Sequence, residues 1–311
     1  MLSGEYAVLD GAPAICMAVN RRARAVLTAT DGDVSRVAAG GYSDAVGRFQ
    51  LTDGHVKWLD GRETFNVVDT VYRAAEVADF PACLIDLDTS EFIDSETRRK
   101  IGIGSSAAIT IALSAAIKRS TDVATIARRA HAELQDGAGS GVDIACGLTG
   151  GLIEYRMEGA STTSLTWPDG LLYRILWTGV AASTRSKLAQ LEATVSLPSR
   201  VRLVGESEMM AAAWRGGDVV QIVNGYSEYI RQLREFSADH DLGIFDAGHD
   251  ELWRAAKAEQ LTYKPCGAGG GDIGILFGSD SAALDAFVAS NSSNCTVLDC
   301  ELSPTGVRIG E

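Results

Sequence analysis

The chain has 311 residues, of which 46% are hydrophobic and 22% charged, enough to bury one large core or two smaller ones. No apolar run reaches the length of a membrane span, and no basic-then-apolar segment opens the chain, so neither a membrane partner nor secretion is expected. A net charge of −13 argues against nucleic acid as partner, and an anionic substrate would need cations concentrated locally. The six cysteines (Cys16, Cys83, Cys146, Cys266, Cys295, Cys300) are scattered without a Cys-x-x-Cys pair or neighbouring histidines. That spacing disfavours a zinc site or a disulfide framework, and a reducing cytoplasm is the expected location.

Taken in chain order, residues 12–29 and 48–58 carry strand-like patches of β-branched and apolar residues. Apolar positions at helical spacing (Phe65, Val68, Val71, Tyr72, Ala75) predict a helix over 63–79, stopping before Pro81. A strand at 83–87 leads toward a glycine turn, and helices follow over 105–118 and 122–135, the second capped by Thr121 or Asp122. Gly150-Gly151-Leu-Ile-Glu-Tyr returns as a strand. After Pro168 come a strand at 171–177 and helices near 185–195, 199–213, 217–236 and 249–260. Strand-like segments at 273–277 and 295–301 flank a helix at 281–289, and 305–309 is a candidate last strand. Strands and helices mix without regular alternation, which favours α+β over a doubly wound parallel sheet.

The most informative stretch is residues 99–112, a glycine-spaced turn that runs through two serines into good helix formers. Gly102 and Gly104 let the backbone turn tightly and approach a ligand with no Cβ in the way. Ser105 and Ser106 are placed to cap the helix that follows, whose first N–H groups lack partners within it. Free donors at the positive end of a helix dipole make an anion site, and a phosphate chain is its natural guest. The string is no P-loop, because no Gly-Lys-Ser/Thr follows. Nor is it a dinucleotide fingerprint, because Ala107 stands at the third glycine position. Arg98-Arg99-Lys100, just before the turn, is a candidate local source of positive charge. Asp143, directly after a Ser-Gly turn, reads either as a helix-capping carboxylate or as a general base.

Gly-Ile-Gly-Ser-Ser-Ala-Ala at 102–108 resembles the central motif of the GHMP kinases. Leu2-Ser3-Gly4-Glu5-Tyr6-Ala7-Val8-Leu9, continued by Pro13-Ala14-Ile15, is similar to the family's first motif, and Lys264-Pro265-Cys266-Gly267-Ala268-Gly269-Gly270-Gly271-Asp272 to its third. Gly139-Ser140-Gly141-Val142-Asp143 is similar to its Ser-Gly-x-Asp element. Four blocks in the right order span nearly the whole chain. The resemblance implies an α+β, two-domain fold. Residues 1–165 would form the ATP-binding domain, with a left-handed βαβ unit, and 166–311 a ferredoxin-like domain, with the active site in a cleft between them. It also implies ATP and Mg2+, with the phosphates cradled by Gly102, Ile103, Gly104, Ser105, Ser106 and Ala107. Ser106 would contact the metal. Glu133 would be its carboxylate ligand, although ungapped alignment puts Ala132 at that position. Asp143 would be the base or the group that orients the acceptor hydroxyl, and Glu5, Ser140, Gly141 and Gly269 would line the acceptor.

Within the family the resemblance leans toward the phosphomevalonate kinases. Lys100 directly before Ile-Gly-Ile-Gly-Ser-Ser, Gln135, and Trp177-Thr178-Gly179-Val180-Ala181-Ala182-Ser183-Thr184 carry it. It implies a small phosphorylated acid as acceptor, with Ser183 and Thr184 near it. Lys100, Arg185 and Lys187 are the cations available for its phosphate. Mevalonate kinase or a mevalonate-pathway decarboxylase is the alternative enzyme, and a non-catalytic ligand-binding relative the alternative class; either a monomer or a homodimer is expected. One departure stands out. The family's usual Pro-Gly-Lys before the first motif has no room here, so either the start is late or another cation takes that role.

Overall fold

A computed structural model describes residues 1–40, 43–118, 122–137, 139–182, 184–192 and 197–310. In chain order the elements are β1 (Ala14–Met17), β2 (Arg24–Ala29), β3 (Ser35–Gly40), β4 (Ser43–Thr52), β5 (His55–Asp60), α1 (Asn66–Ala74) and β6 (Cys83–Asp88). Next come α2 (Ser105–Ile117), α3 (Val123–Leu134), α4 (Val142–Thr149), β7 (Leu152–Arg156), β8 (Ser161–Leu165) and β9 (Leu172–Trp177). The rest are α5 (Thr184–Glu192), α6 (Pro198–Gly216), α7 (Val219–Asp239), α8 (His249–Ala258), β10 (Thr262–Pro265), β11 (Ile273–Gly278), α9 (Ser281–Ser290) and β12 (Thr296–Leu298). The mixed α+β class is as the sequence predicts.

The chain divides into two compact units, and each takes pieces from several parts of the sequence. One comprises Met1–Val19, Arg99–Ile103 and Gly151–Pro304; the other Asn20–Arg98, Gly104–Gly150 and Thr305–Glu311. This grouping differs from a single boundary near residue 165. The reason is β pairing: β1 joins β7 antiparallel, Ala14 opposite Tyr155, and so ties the first residues to those after Gly151.

The second of these units is built on a five-stranded sheet, ordered β2-β6-β3-β4-β5. Only β3–β6 is parallel within it, with Val37 opposite Ile85, and the crossover between them carries α1. That crossover also contains the β4–β5 hairpin. Residues 48–58, read as one strand patch, fold back at Asp53-Gly54 into the β4–β5 hairpin, with Thr52 opposite His55. Val37, Phe49, Phe65, Val68, Val71, Tyr72, Ile85 and Leu113 fill the core between the sheet and α1, α2 and α3. α2 is apolar nearly all round and correspondingly buried; its hydroxyls bond back into the helix, Thr110 Oγ1 to the Ser106 carbonyl and Ser114 Oγ to the Thr110 carbonyl. Residues 305–309 form no strand. Arg22 instead donates to the carbonyls of Thr305 and Gly306, at 3.0 and 2.8 Å, and Val307 packs beside Ile144 and Leu148.

The other unit holds the sheet β1-β7-β8 and an antiparallel sheet ordered β10-β11-β9-β12. Numbered from β9, that order is the ferredoxin-like arrangement, with α9 bridging β11 and β12. α6 and α7 form an antiparallel pair turned by Gly217 and capped by Asp218, whose carboxylate accepts from the Gln221 N–H at 3.0 Å. Their inner faces bury Trp214, Tyr226, Tyr229 and Phe236 against Leu2, Ile15 and Phe277.

Candidate active site

The glycine turn has the backbone its sequence demands. Gly102 and Gly104 stand at φ +85° and +91°, where side chains are rarely tolerated. A Cβ on Gly102 would collide with the carboxyl group of Asp272, which closes the third glycine-rich segment; a Cβ on Gly104 would meet open space. The serines do not cap α2, contrary to the expectation. Gly104 is the N-cap, no side chain bonds the first turn, and Ser105 and Ser106 are its first two helical residues. The early N–H groups of α2 therefore stay available to an anion. Ser106 is exposed, Ser105 partly buried and Ala107 buried in a small core with Ile111, Ala127 and Ile144.

Asp143 lies in the first turn of α4, after the αL residue Gly141 at φ +74°, so it too is not the N-cap. Its Oδ1 accepts from the Ile144 N–H at 2.9 Å, and its side chain is 36% exposed. Ser140 Oγ approaches the Val142 N–H at 3.5 Å. Oδ2 of Asp143 faces Nε2 of His131 at 3.7 Å. Glu133, on the same helix as His131, ion-pairs with Arg73 of α1, so one carboxylate oxygen is already engaged with a cation. Among the described residues no group of three or more His, Cys, Asp or Glu could hold a metal ion by itself. A magnesium ion carried on nucleotide phosphates needs only one or two protein oxygens, and the exposed Ser106 hydroxyl fits that demand.

In the other unit the first and third sequence blocks are locked together. Glu5 is 1% exposed and Lys264 fully buried, with Nζ 2.5 Å from Oε1. Tyr229 of α7 donates to the other Glu5 oxygen at 2.6 Å, and its hydroxyl accepts from the N–H groups of Gly4 and Glu5. Both carboxylate oxygens of Glu5 are thus bonded within the protein. Glu5, expected at the acceptor, here joins the first motif to Lys264 of the third and to Tyr229 of α7. Tyr6 donates to the Ala268 carbonyl at 2.7 Å, holding the glycine-rich loop from the same side. Gly270 N–H bonds the Ile244 carbonyl beside Gly269, and His249 bridges Gly271 and Tyr263 at 2.8 Å to each. Burial pushes the His249 imidazole down to about 4, helped by Lys264 and Lys187 and opposed by the Gly271 carbonyl. Burial likewise raises the Asp272 carboxyl, opposed by the Ala182 N–H that it accepts at 3.2 Å.

Of the expected cations, Lys100 is exposed. Lys187 is half-buried and donates to the carbonyls of Leu242 and Gly243 at 2.6 and 3.1 Å, which makes it a support for that loop. Ser183 and the side chains of Thr184 and Arg185 lie outside the described residues. Trp177 ends β9 as a buried residue paired with Ile273 and Thr296. Two participants escaped the sequence reading. His131 falls on the apolar stripe Val123, Ala127, Ala130 of α3, and Tyr229 on the stripe Ile222, Tyr226, Leu233 of α7. A polar-tipped residue on a core stripe was the available signal.

Comparison with known proteins bears on this arrangement. Residues 67–151, which contain the glycine turn and Asp143, match the GHMP kinases N terminal domain. Phosphomevalonate kinase of Streptomyces sp. (strain CL190) is 29% identical over 360 residues, covering 97% of this chain and 94% of that protein. Among solved structures, a Lin0012 protein from Listeria innocua superposes with a TM-score of 0.82 at 22% identity, covering 96% of this chain and 94% of that one. The Streptococcus pneumoniae phosphomevalonate kinase in complex with phosphomevalonate and AMPPNP gives a TM-score of 0.79 at 17% identity, covering 97% and 96%. Residues 67–151 are thus similar to the GHMP kinases N terminal domain, the chain as a whole is similar to a phosphomevalonate kinase over nearly its full length, and its fold is that of the solved GHMP kinase relatives.

Proposed function

We propose that this kinase transfers the γ-phosphoryl group of ATP to the phosphate of phosphomevalonate, giving diphosphomevalonate. The observation that carries the reading is the 29% identity to a phosphomevalonate kinase across 97% of the chain, with all four motif blocks in order. The backbone N–H groups of residues 102–107 hold the ATP phosphates, a role supported by the uncapped start of α2. Ser106 contributes a hydroxyl to the magnesium–nucleotide complex, with Glu133 as the candidate carboxylate if it is released from Arg73. Magnesium supplies charge neutralisation at the phosphate oxygens when bound. Phosphoryl transfer asks the protein chiefly for positioning and electrostatics. Asp143 accepts a hydrogen bond from the acceptor, or its proton, and aligns the attacking oxygen. Lys100 and Arg185 neutralise the acceptor's phosphate, with Ser140, Gly141, Ser183, Thr184 and Gly269 around it.

An acceptor that already carries phosphate brings about two negative charges to an acidic protein, which is why the cations matter. The test is ADP release with mevalonate, phosphomevalonate and diphosphomevalonate offered in turn. Turnover with phosphomevalonate alone is expected, and efficient use of mevalonate with neglect of phosphomevalonate overturns the acceptor assignment. Lys100→Ala with Arg185→Ala should raise the phosphomevalonate KM by about two to four orders of magnitude, from two charge-assisted contacts of about 1.5–3 kcal/mol each.

A further inference from the structure

His131 sits in the last turn of α3, 1% exposed, with its Nε2 3.7 Å from Asp143 Oδ2. That nitrogen has no hydrogen-bond partner among the described residues. Buried polar atoms are nearly always paired, and one left unpaired beside a carboxylate is a contact close to forming. A shift of less than about 1 Å brings 3.7 Å into hydrogen-bond range. The carboxylate is already held from one side, where Oδ1 takes the Ile144 N–H at 2.9 Å, leaving Oδ2 as the oxygen whose direction is unset.

We propose that His131 is a positioning residue for phosphoryl transfer: the imidazole donates its Nε2–H to Asp143 Oδ2 in the reacting complex and fixes the rotation of the carboxylate. Ile144 N–H and His131 Nε2–H then clamp the two oxygens from opposite sides. A carboxylate oxygen has room for more than one donor, so Oδ2 can take the imidazole N–H together with the P–OH of a monoprotonated acceptor phosphate. His131 itself is too deeply buried to reach a substrate, so it acts through Asp143. The inference rests on the role of Asp143 in the proposed function. Its value to the reaction is orientation, where a misplacement of about 1 Å is worth on the order of 100-fold.

The experiment is a double-mutant cycle of His131→Phe and Asp143→Asn, read as steady-state turnover of ATP with phosphomevalonate, with thermal melts of every variant. His131→Phe is expected to lower kcat by about 10–100-fold with the ATP KM within about twofold. In the Asp143→Asn background the same change should cost less than about twofold, because there is no carboxylate left to orient. His131→Gln, which carries an N–H donor of similar reach, should recover most of the loss, and the shorter His131→Asn should not. If His131→Phe does not fold, the Gln and Asn pair decides alone: equal activity in the two overturns the proposal. A His131→Phe enzyme within about threefold of wild type, or one that loses the same factor with and without Asp143, also overturns it. A fully active Asp143→Asn enzyme instead overturns the proposed role of Asp143, on which this inference depends.

Discussion

Replacing Lys264 by methionine tests whether the buried Glu5–Lys264 pair holds the first and third motifs together. The ammonium is fully buried, 2.5 Å from a carboxylate that is itself 1% exposed. Removing it leaves a buried carboxylate with the Tyr229 hydroxyl as its remaining side-chain donor. Breaking a buried pair from one side costs about 3–5 kcal/mol, because the surviving charge is uncompensated. Lys264→Met and Glu5→Gln should each lose that amount. The double variant removes both charges of the pair and loses their hydrogen bonds, about 1–2 kcal/mol in all. The cycle should therefore show a coupling of several kcal/mol, whereas independent sites add to within about 0.5 kcal/mol. Urea unfolding at neutral pH measures it, provided the m-value is the same in all four proteins. Additive losses would refute that role of the pair, as would a Glu5→Gln protein of wild-type stability whose acceptor KM has risen.

Three other outcomes follow from the same geometry. Asp143→Asn should lower kcat by about two to four orders of magnitude with nucleotide affinity unchanged, and turnover within threefold of wild type would show that Asp143 is no catalyst. His249, held at about 4 in the folded chain against an ordinary 6.5, binds its proton more readily when unfolded. Stability should therefore fall as pH drops from about 6.5 to about 4, by at most about 3 kcal/mol, and His249→Gln should flatten that slope in urea titrations. Gly102→Ala should destabilise more than Gly104→Ala, since both pay for a positive φ of about 1–2 kcal/mol but only the first also displaces Asp272. Equal urea midpoints for the two would sink that reading.

How much of this was legible in the sequence depended on whether the reason for a residue is local. The glycine turn was readable because backbone geometry at 102 and 104 dictates the residue type in place. Long helices such as α7 announced themselves through an apolar stripe (Ile222, Tyr226, Leu233) that repeats at helical pitch. The elements that escaped are short or compositionally mute. β8 reads Ser-Thr-Thr-Ser-Leu, β10 carries a lysine and ends in proline, and α4 contains a glycine in eight residues. These are strands or helix only because β7, β11 and α2 lie beside them. The Glu5–Lys264 pair was illegible for the same reason: its members stand 259 residues apart, and no spacing rule joins them.

The misread serines point to a functional choice in the local sequence. Ser, Thr, Asp and Asn are the favoured N-caps because their side chains satisfy orphan N–H groups at a helix start. α7 and α9 use Asp218 and Asp280 for that purpose. α2 has two serines within reach of that position and still begins on Gly104, with no side chain over its first turn. A serine one residue earlier would compete for the donors that a phosphate needs, and at φ +91° its backbone would be strained as well. α4 and α8 likewise start on a left-handed glycine with no side-chain cap. What sets α2 apart is a second left-handed glycine, Gly102, two residues before that N-cap. In the proposed function an anion on several N–H groups at once offsets the capping energy of about 1 kcal/mol that is forgone. Local capping rules favour a serine or aspartate at residue 104, whereas its left-handed backbone and the proposed phosphate site both favour the glycine found there.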